Sequence, residues 1–328
     1  MGKGLRVAVV GSGAIGVYYG AKLAHGGTDV HFLMRGDLSE ARRVGFYVRG
    51  EGENFCVEKV NCYNSTEEIG PCDLVLIAVK ATSNAGLVDL VPPLLHQRTI
   101  LLTLQNGLGN EEFLAEHFGA ERVLGGLCFI CLSRISRTEV ERYDYGHILV
   151  GEYACAPQPR RQDVAAEFQR CGVKCSVVEN LALERWRKLV WNIPFNGLSI
   201  LPGAVDTATI LADENLRRIT VALMEEVIVA ANKCGHLLPA SVALEQMKRT
   251  ETMGAYKPST LLDWEAGKPL EIEAIWGEPL RRAALAGAPT PRLEILYSLL
   301  KSLDRTRRTK SDNPEIVVAR ESIRSRSS

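Results

Sequence analysis

The sequence predicts an α/β fold in which a doubly wound parallel sheet is followed by an all-helical C-terminal domain. Three observations lead to this prediction. An apolar run at residues 7–10 leads directly into a glycine-rich turn. Further short apolar runs alternate with helical patterns up to about residue 180, and long amphipathic helical patterns then replace the strand patterns. At 328 residues, the chain is long enough for two domains, each with its own core.

The first element is a strand that ends in the pattern G-x-G-x-x-G. In this pattern the first glycine permits a tight turn, the second lets the backbone approach a pyrophosphate, and the third lets the following helix pack close to the strand. Backbone N–H groups at the start of that helix would bind the pyrophosphate. We therefore expect a Rossmann-type domain that binds a dinucleotide through Gly11, Ser12, Gly13, Ala14, Ile15 and Gly16.

The other central strands are near-continuous apolar runs at residues 29–34, 73–79 and 99–104. Such runs are typical of parallel strands that are covered on both faces. Helical patterns at residues 17–24 and 111–118 separate them, and strand patterns at residues 122–132 and 147–151 extend the sheet. We assign the dinucleotide-binding domain to residues 1–180.

The residue after the second strand indicates which dinucleotide is bound. NAD-specific folds place an acidic residue there, about 20 residues beyond the glycines, to accept hydrogen bonds from the ribose. Arg35 occupies that place in this chain, and its guanidinium group suits a phosphate. The sequence therefore predicts NADP(H). Asp37 keeps NAD(H) as the less favoured alternative, and the structural alternative for Arg35 is an exposed surface residue.

Two more positions follow strands of the predicted sheet. Lys80 comes directly after the run at residues 73–79, and Asn106 lies in the polar segment after the next strand. Ligands of such folds bind at the carboxyl ends of the strands, so we expect both residues to contact the cofactor, with the substrate as an alternative ligand of Lys80. The alternatives are a solvent-exposed lysine and an ordinary Asn-Gly turn.

The second domain, residues 181–304, begins with a helix that carries a polar stripe. Lys188, Asn192 and Asn196 recur every four residues and fall on one face. The stripe suits a lined cleft, although a helix with one solvated edge has the same pattern. Glu271 lies among apolar residues further along, and a desolvated lysine with a carboxylate partner can act as a proton donor.

Composition and charge argue against several classes of partner. Lysine plus arginine equals aspartate plus glutamate at 39 each, which gives no electrostatic case for binding nucleic acid. No apolar run reaches the roughly 18 residues of a membrane-spanning helix, and no signal-peptide pattern is present, so we expect a cytoplasmic protein.

Residues 305–328 are basic and are expected to form a disordered tail, with an arm for a binding partner as the alternative.

The nine cysteines are scattered, which indicates reduced thiols rather than a disulfide framework. Cys128 and Cys131 lie three residues apart in a predicted strand. Side chains at that spacing point to opposite faces of a strand and cannot share a metal ion. We therefore expect no metal site.

Together these motifs resemble the ketopantoate reductase (2-dehydropantoate 2-reductase) family. The resemblance extends to about residue 303, and its most specific part is the helix with the spaced lysine and asparagines, combined with the later serine and glutamate. The residues that carry the resemblance are Gly11, Gly13, Gly16, Lys80, Gln105, Asn106, Gly107, Gly151, Glu152, Lys188, Asn192, Asn196, Ser259, Asp263 and Glu271.

The resemblance implies reduction of 2-dehydropantoate to pantoate with NADPH, a step of pantothenate biosynthesis. It implies that Lys188 is the general acid, that Glu271 helps to bind and orient the substrate, and that Asn106 lies near the nicotinamide. The residues it implies for substrate contact are Asn192, Asn196 and Ser259. Similar proteins are commonly homodimers. The alternatives are a related NADPH-dependent reductase of another 2-oxo or 3-hydroxy acid, and a non-catalytic NADP-binding regulator.

Overall fold

The computed structural model describes residues 4–34, 36, 38–154, 156 and 158–311. The strands of this part of the chain are β1 (Arg6–Val10), β2 (Asp29–Leu33), β3 (Phe46–Gly50), β4 (Phe55–Val57), β5 (Asn61–Tyr63), β6 (Leu74–Ile77), β7 (Ile100–Thr103), β8 (Val123–Arg134), β9 (Glu139–Glu152) and β10 (Cys175–Val177). All of them precede residue 181, after which the described part of the chain is helical, as predicted.

The α-helices are α1 (Ala14–His25), α2 (Leu38–Val44), α3 (Thr66–Ile69), α4 (Leu87–Leu90), α5 (Asn110–Phe118), α6 (Pro159–Arg170), α7 (Leu181–Leu198), α8 (Thr207–Ala212), α9 (Glu214–Lys233), α10 (Ser241–Glu251), α11 (Ser259–Glu265), α12 (Glu278–Leu285) and α13 (Pro291–Ser311). A 3₁₀-helical segment covers Ala81–Gly86, and a π-helical turn covers Glu273–Gly277. Among the residues described, no helix has the length and apolar character needed to cross a membrane.

The strands form one sheet in the order β4-β3-β9-β8-β7-β6-β1-β2-β5, and β10 pairs with β9. The four strands predicted from apolar runs form its parallel centre, because β1 pairs with β2 and β6, and β6 pairs with β7. Val7 and Val9 pack into the core on one face, whereas Ala8 and Val10 pack into the core on the other. Burial on both faces explains why these strands are continuously apolar. The doubly wound fold is confirmed.

The outer part of the sheet adds detail that the sequence did not predict. The strand patterns at residues 122–132 and 147–151 belong to β8 and β9, which form a long antiparallel hairpin. The short strands β3, β4, β5 and β10 were not predicted. They have only three to five residues, and alternate side chains of β3 such as Tyr47 are exposed, so they lack the continuous apolar signal of the centre.

The chain divides into two compact units between Arg185 and Trp186, a position inside α7. The sheet and its covering helices belong to the first unit. In the second unit, α9 packs against α8, α10, α12 and α13. The boundary predicted at residue 181 is the first residue of α7.

The first residues of the predicted tail are helical. Residues 305–311 are the last residues of α13 and are helical, so the prediction of disorder from Arg305 was wrong for this segment. The Arg307 guanidinium lies 4.5 Å from the centre of the Trp264 ring and donates hydrogen bonds to the Trp264 carbonyl and to Asp304. These contacts hold the last turns of the helix. Residues 312–328 lie outside the described residues.

Candidate active site

The glycine-rich turn joins β1 to α1, and two of its glycines are required by the protein itself. Gly11 has a φ of +109°, and a Cβ there would collide with the backbone of Ala78 and Val79. A Cβ at Gly16 would collide with the carbonyl oxygen of Gly11. These two positions therefore let α1 start tightly against the sheet.

At position 13, neither the backbone conformation nor a neighbouring atom requires glycine. Its φ of −77° is accessible to any residue, and a Cβ there would have no other atom within 4 Å. It precedes Ala14 and Ile15, where α1 begins, and the first turn of that helix carries no acidic residue. A helix start with open space before it and no local negative charge suits a pyrophosphate. The turn therefore fits a dinucleotide.

Ser12 and the end of β2 lie side by side at this edge of the sheet. The Ser12 hydroxyl donates a 2.7 Å hydrogen bond to the carbonyl of Leu33, which is also the register partner of Val10. Arg35, the predicted phosphate contact, lies outside the described residues.

Lys80 and Asn106 follow the two neighbouring strands of the sheet. Ile77, the last residue of β6, pairs with Val10 on one side and with Thr103 on the other. Lys80 is half-buried and directly precedes the 3₁₀-helical segment, while Asn106 is half-buried in the turn after β7. The structure thus brings the segments after β1, β6 and β7 to one edge, where ligands of such sheets bind.

A buried ion pair that the sequence did not predict supports the turn containing Asn106. The Arg185 guanidinium donates to Glu111 and, at 2.8 Å, to the carbonyl of Gln105; both charged side chains are buried. Removing one partner of a buried pair would leave an uncompensated charge, so this pair is costly to break. No local sequence pattern connects residues so far apart in the chain.

In the helical unit, α7 continues through Pro194 and carries the predicted polar stripe. Lys188 is half-buried, Asn192 is buried, and Asn196 is only 1% exposed. The Asn196 amide has two partners within the protein, because its Nδ2 donates to the carbonyl of Asn192 and its Oδ1 accepts a 3.1 Å hydrogen bond from the N–H of Thr260. Asn196 therefore holds the start of α11, of which Ser259 is the first residue.

Glu271 is 5% exposed and lies between the buried residues Leu270 and Ile272. Its carbonyl accepts a hydrogen bond from the N–H of Ile275, within the π-helical turn that follows. The Trp276 indole of that turn donates a 3.0 Å hydrogen bond to the carbonyl of Ile193 on α7. The segment that carries Glu271 is thus tied to the same helix as the polar stripe. A π-helical turn is a frequent feature of functional sites.

The comparisons with known proteins show the family to which the chain is similar. The family model described as "Ketopantoate reductase PanE/ApbA" matches residues 7–154, and the model described as "Ketopantoate reductase PanE/ApbA C terminal" matches residues 180–304. A 2-dehydropantoate 2-reductase from Nostoc sp. is 39% identical over 309 residues, which cover 93% of this chain and 97% of the relative.

Solved structures give the same result. A 2-dehydropantoate 2-reductase from Geobacter metallireducens has a TM-score of 0.89 and 43% identity, covering 91% of this chain and 100% of its own. One from Methylococcus capsulatus has a TM-score of 0.85 and 32% identity, covering 92% and 98%. A ketopantoate reductase from Staphylococcus aureus, described as dimeric, has a TM-score of 0.78 at 20% identity, with 92% and 100% covered, and shares the fold.

Proposed function

The chain belongs to the ketopantoate reductase family, and on this premise we propose that it reduces 2-dehydropantoate to pantoate with NADPH, as an enzyme of pantothenate biosynthesis. The observation that carries the proposal is the match to the family over residues 7–154 and 180–304, together with a glycine-rich turn whose central glycine faces open space at the start of α1. The 2-dehydropantoate 2-reductases at 39% and 43% identity support the substrate.

In this proposal the first unit binds the cofactor. Residues 11–16 bind the pyrophosphate through backbone N–H groups, and Lys80 and Asn106 contact the cofactor from the neighbouring strands. Arg35 binds the 2′-phosphate of the adenosine ribose through its guanidinium group, which favours NADPH over NADH. When bound, NADPH supplies the hydride that is added to the C2 carbonyl carbon of the substrate.

The second unit supplies the proton. Lys188 stabilises the negative charge that develops on the carbonyl oxygen and donates a proton to it, which completes the alcohol of pantoate. Glu271 orients the substrate, and Asn192 and Ser259 donate hydrogen bonds to it. Asn196 lines the same helix face, and its amide also orients the start of α11 next to Ser259.

We further propose a homodimer, as described for the Staphylococcus aureus relative.

A cytoplasmic location is supported by the cysteines, since those that the structure describes are free thiols and most of them are buried. Burial raises the pKa of Cys62 and Cys72 to about 11 and of Cys175 to about 12, so these thiols stay protonated and unreactive at neutral pH.

The test is the oxidation of NADPH by the purified protein, followed by absorbance, with 2-dehydropantoate as substrate. The matched control is 2-oxoisovalerate, which lacks the hydroxymethyl group of 2-dehydropantoate. We expect kcat/KM to be at least about a hundredfold higher for 2-dehydropantoate, because a site that binds a hydroxyl group rejects the analogue that lacks it. NADH in place of NADPH should give a clearly lower kcat/KM. Tight NADPH binding without turnover of 2-dehydropantoate would contradict the proposed substrate.

A further inference from the structure

A chain of side-chain hydrogen bonds runs beneath the turn at residues 104–109, called here the Asn106 loop. The Thr103 hydroxyl donates to Gln105 Oε1 at 2.9 Å, and Gln105 Nε2 donates to Asn84 Oδ1 at 2.7 Å. Asn84 Nδ2 then donates to Asn110 Oδ1 at 3.0 Å, and Asn110 Nδ2 donates to the backbone carbonyl of Asn106 at 2.9 Å. Asn84 is therefore the central link.

The direction of this chain is fixed by its last member. A backbone carbonyl can only accept, so the Asn110 amide must direct its NH₂ towards Asn106 and its oxygen towards Asn84. Asn84 must then donate to Asn110 and accept from Gln105. Among side chains of this size, only an amide has both a donor and an acceptor in these positions. Thr103, Gln105 and Asn110 are buried, so an unmade bond in this chain would not be replaced freely by water.

Asn84 reaches this chain from a different part of the unit. It lies in the 3₁₀-helical segment Ala81–Gly86, which begins directly after Lys80. Gln105 and Asn110 are 21 and 26 residues away from it in sequence. The amide thus connects the segment after β6 with the Asn106 loop after β7, and these are the two segments that the proposed function places against the cofactor.

The loop needs such support because of its backbone. Gly107 and Gly109 both have positive φ values, 85° and 91°, and glycines have the largest conformational freedom to lose. The Arg185 guanidinium adds a 2.8 Å hydrogen bond to the Gln105 carbonyl of the same loop. With its backbone carbonyl held by Asn110, Asn106 presents its side chain from a fixed position.

We propose that Asn84 is a positioning residue for the nicotinamide end of the cofactor. Its amide orients the Asn106 loop with respect to the Lys80 segment and so sets where Asn106 meets the cofactor. This inference rests on the proposed function, in which Asn106 lies near the nicotinamide.

The test is the substitution Asn84→Asp, which keeps the shape and the acceptor but replaces the donor with a second oxygen facing Asn110. We expect the Kd for NADPH to rise about tenfold and kcat to fall by at least about tenfold, since small displacements of a positioning group carry costs of this order. The Kd for adenosine 2′,5′-bisphosphate, a fragment that lacks the nicotinamide half, should stay within about twofold. Thr82→Ala, at an exposed position of the same segment, is the matched control and should leave both Kd values unchanged.

Equal weakening of NADPH and of the fragment would overturn the proposal, because it would mean general damage to the unit. Wild-type affinity for NADPH in the Asn84→Asp variant would overturn it as well. If that variant does not fold, Asn84→Ser provides the same comparison, because its short hydroxyl cannot reach both partners. Failure of both variants to fold would assign Asn84 to stability alone and contradict a positioning role.

The binding measurements need no substrate, so this test is separate from that of the proposed function. A wild-type protein that binds NADPH but does not reduce 2-dehydropantoate would contradict the proposed substrate. The comparison between NADPH and its fragment would still decide the role of Asn84.

Discussion

Lys188 is the residue whose removal most directly tests the chemistry proposed for this protein. General acid catalysis contributes about 10²- to 10⁴-fold to a rate, so we expect Lys188→Ala to lower kcat by a factor in this range. Lys188 is half-buried on α7, and its neighbours Leu189 and Val190 remain to hold the helix in place, so the variant should fold. Steady-state kinetics with NADPH and 2-dehydropantoate measure the effect, and circular dichroism checks the fold.

The matched control for this variant is Lys248→Ala, at an exposed position of α10 in the same unit. Loss of a solvated lysine there should leave kcat unchanged. A Lys188→Ala variant with the turnover of the wild type would show that another group donates the proton. A change confined to the KM for 2-dehydropantoate would mean that Lys188 only binds the substrate.

At the scale of single residues, the sequence predicts side chains that recur at a regular helical spacing. It does not predict hydrogen bonds between residues that are far apart in the chain. The spacing of Lys188, Asn192 and Asn196 is a local helical pattern, and α7 places them as predicted. Asn84 and Arg185 carry no such pattern, because Asn84 meets Asn110 across 26 residues and Arg185 meets Gln105 across 80. Only the folded sheet brings these partners together.

At the scale of elements, the glycines of the glycine-rich turn have different reasons to be glycine. Gly16 is required by the packing of the fold, whereas we expect Gly13 to be required by the cofactor. A Cβ at Gly16 would meet the Gly11 carbonyl, whereas a Cβ at Gly13 would meet open space. Gly16→Ala should therefore lower the free energy of unfolding by about 1–3 kcal/mol, the usual cost of overpacking. Gly13→Ala should change it by no more than about 1 kcal/mol, the cost of losing a favourable helix cap.

The effect of Gly13→Ala on the affinity for NADPH should be larger than its effect on stability. We expect Gly13→Ala to raise the Kd at least about tenfold, because the added methyl group takes the space through which the pyrophosphate approaches the backbone. Urea denaturation and NADPH titration of the two variants measure both quantities. A Gly13→Ala variant that binds NADPH like the wild type would show that the cofactor does not use this turn.

The elements themselves differ in how far they can be predicted. The parallel centre of the sheet was predicted because strands buried on both faces are continuously apolar. β3 and β4 are short and partly exposed, and the π-helical turn Glu273–Gly277 differs from an α-helix only in hydrogen-bond spacing. These elements have only three to five residues, which is too short for a hydrophobic period to identify them.

At the scale of the whole molecule, several carboxylates are stabilised by their charged partners in the fold. Glu53, on the turn between β3 and β4, accepts hydrogen bonds from Lys22, Arg142 and Tyr18. Burial raises the pKa of the Glu53 carboxyl, but these hydrogen bonds outweigh that effect, and the pKa lies below its ordinary value of 4.5. The pKa of Glu167, beside Arg170, is lowered as well.

A carboxylate whose pKa is lowered in the folded state stabilises the fold at pH values above the pKa of the unfolded chain, and this stability is lost as the pH falls through the folded pKa. We therefore expect the free energy of unfolding, measured by urea denaturation, to decrease between about pH 5 and pH 3. Glu53→Gln should lower the free energy of unfolding by about 1–3 kcal/mol at pH 7, because hydrogen bonds to a charged group are lost. In this variant the free energy of unfolding should also decrease less steeply as the pH falls. Glu116→Gln, at an exposed position of α5, should leave both quantities unchanged. An equally steep acid dependence in Glu53→Gln would show that the Glu53 cluster does not couple folding to pH.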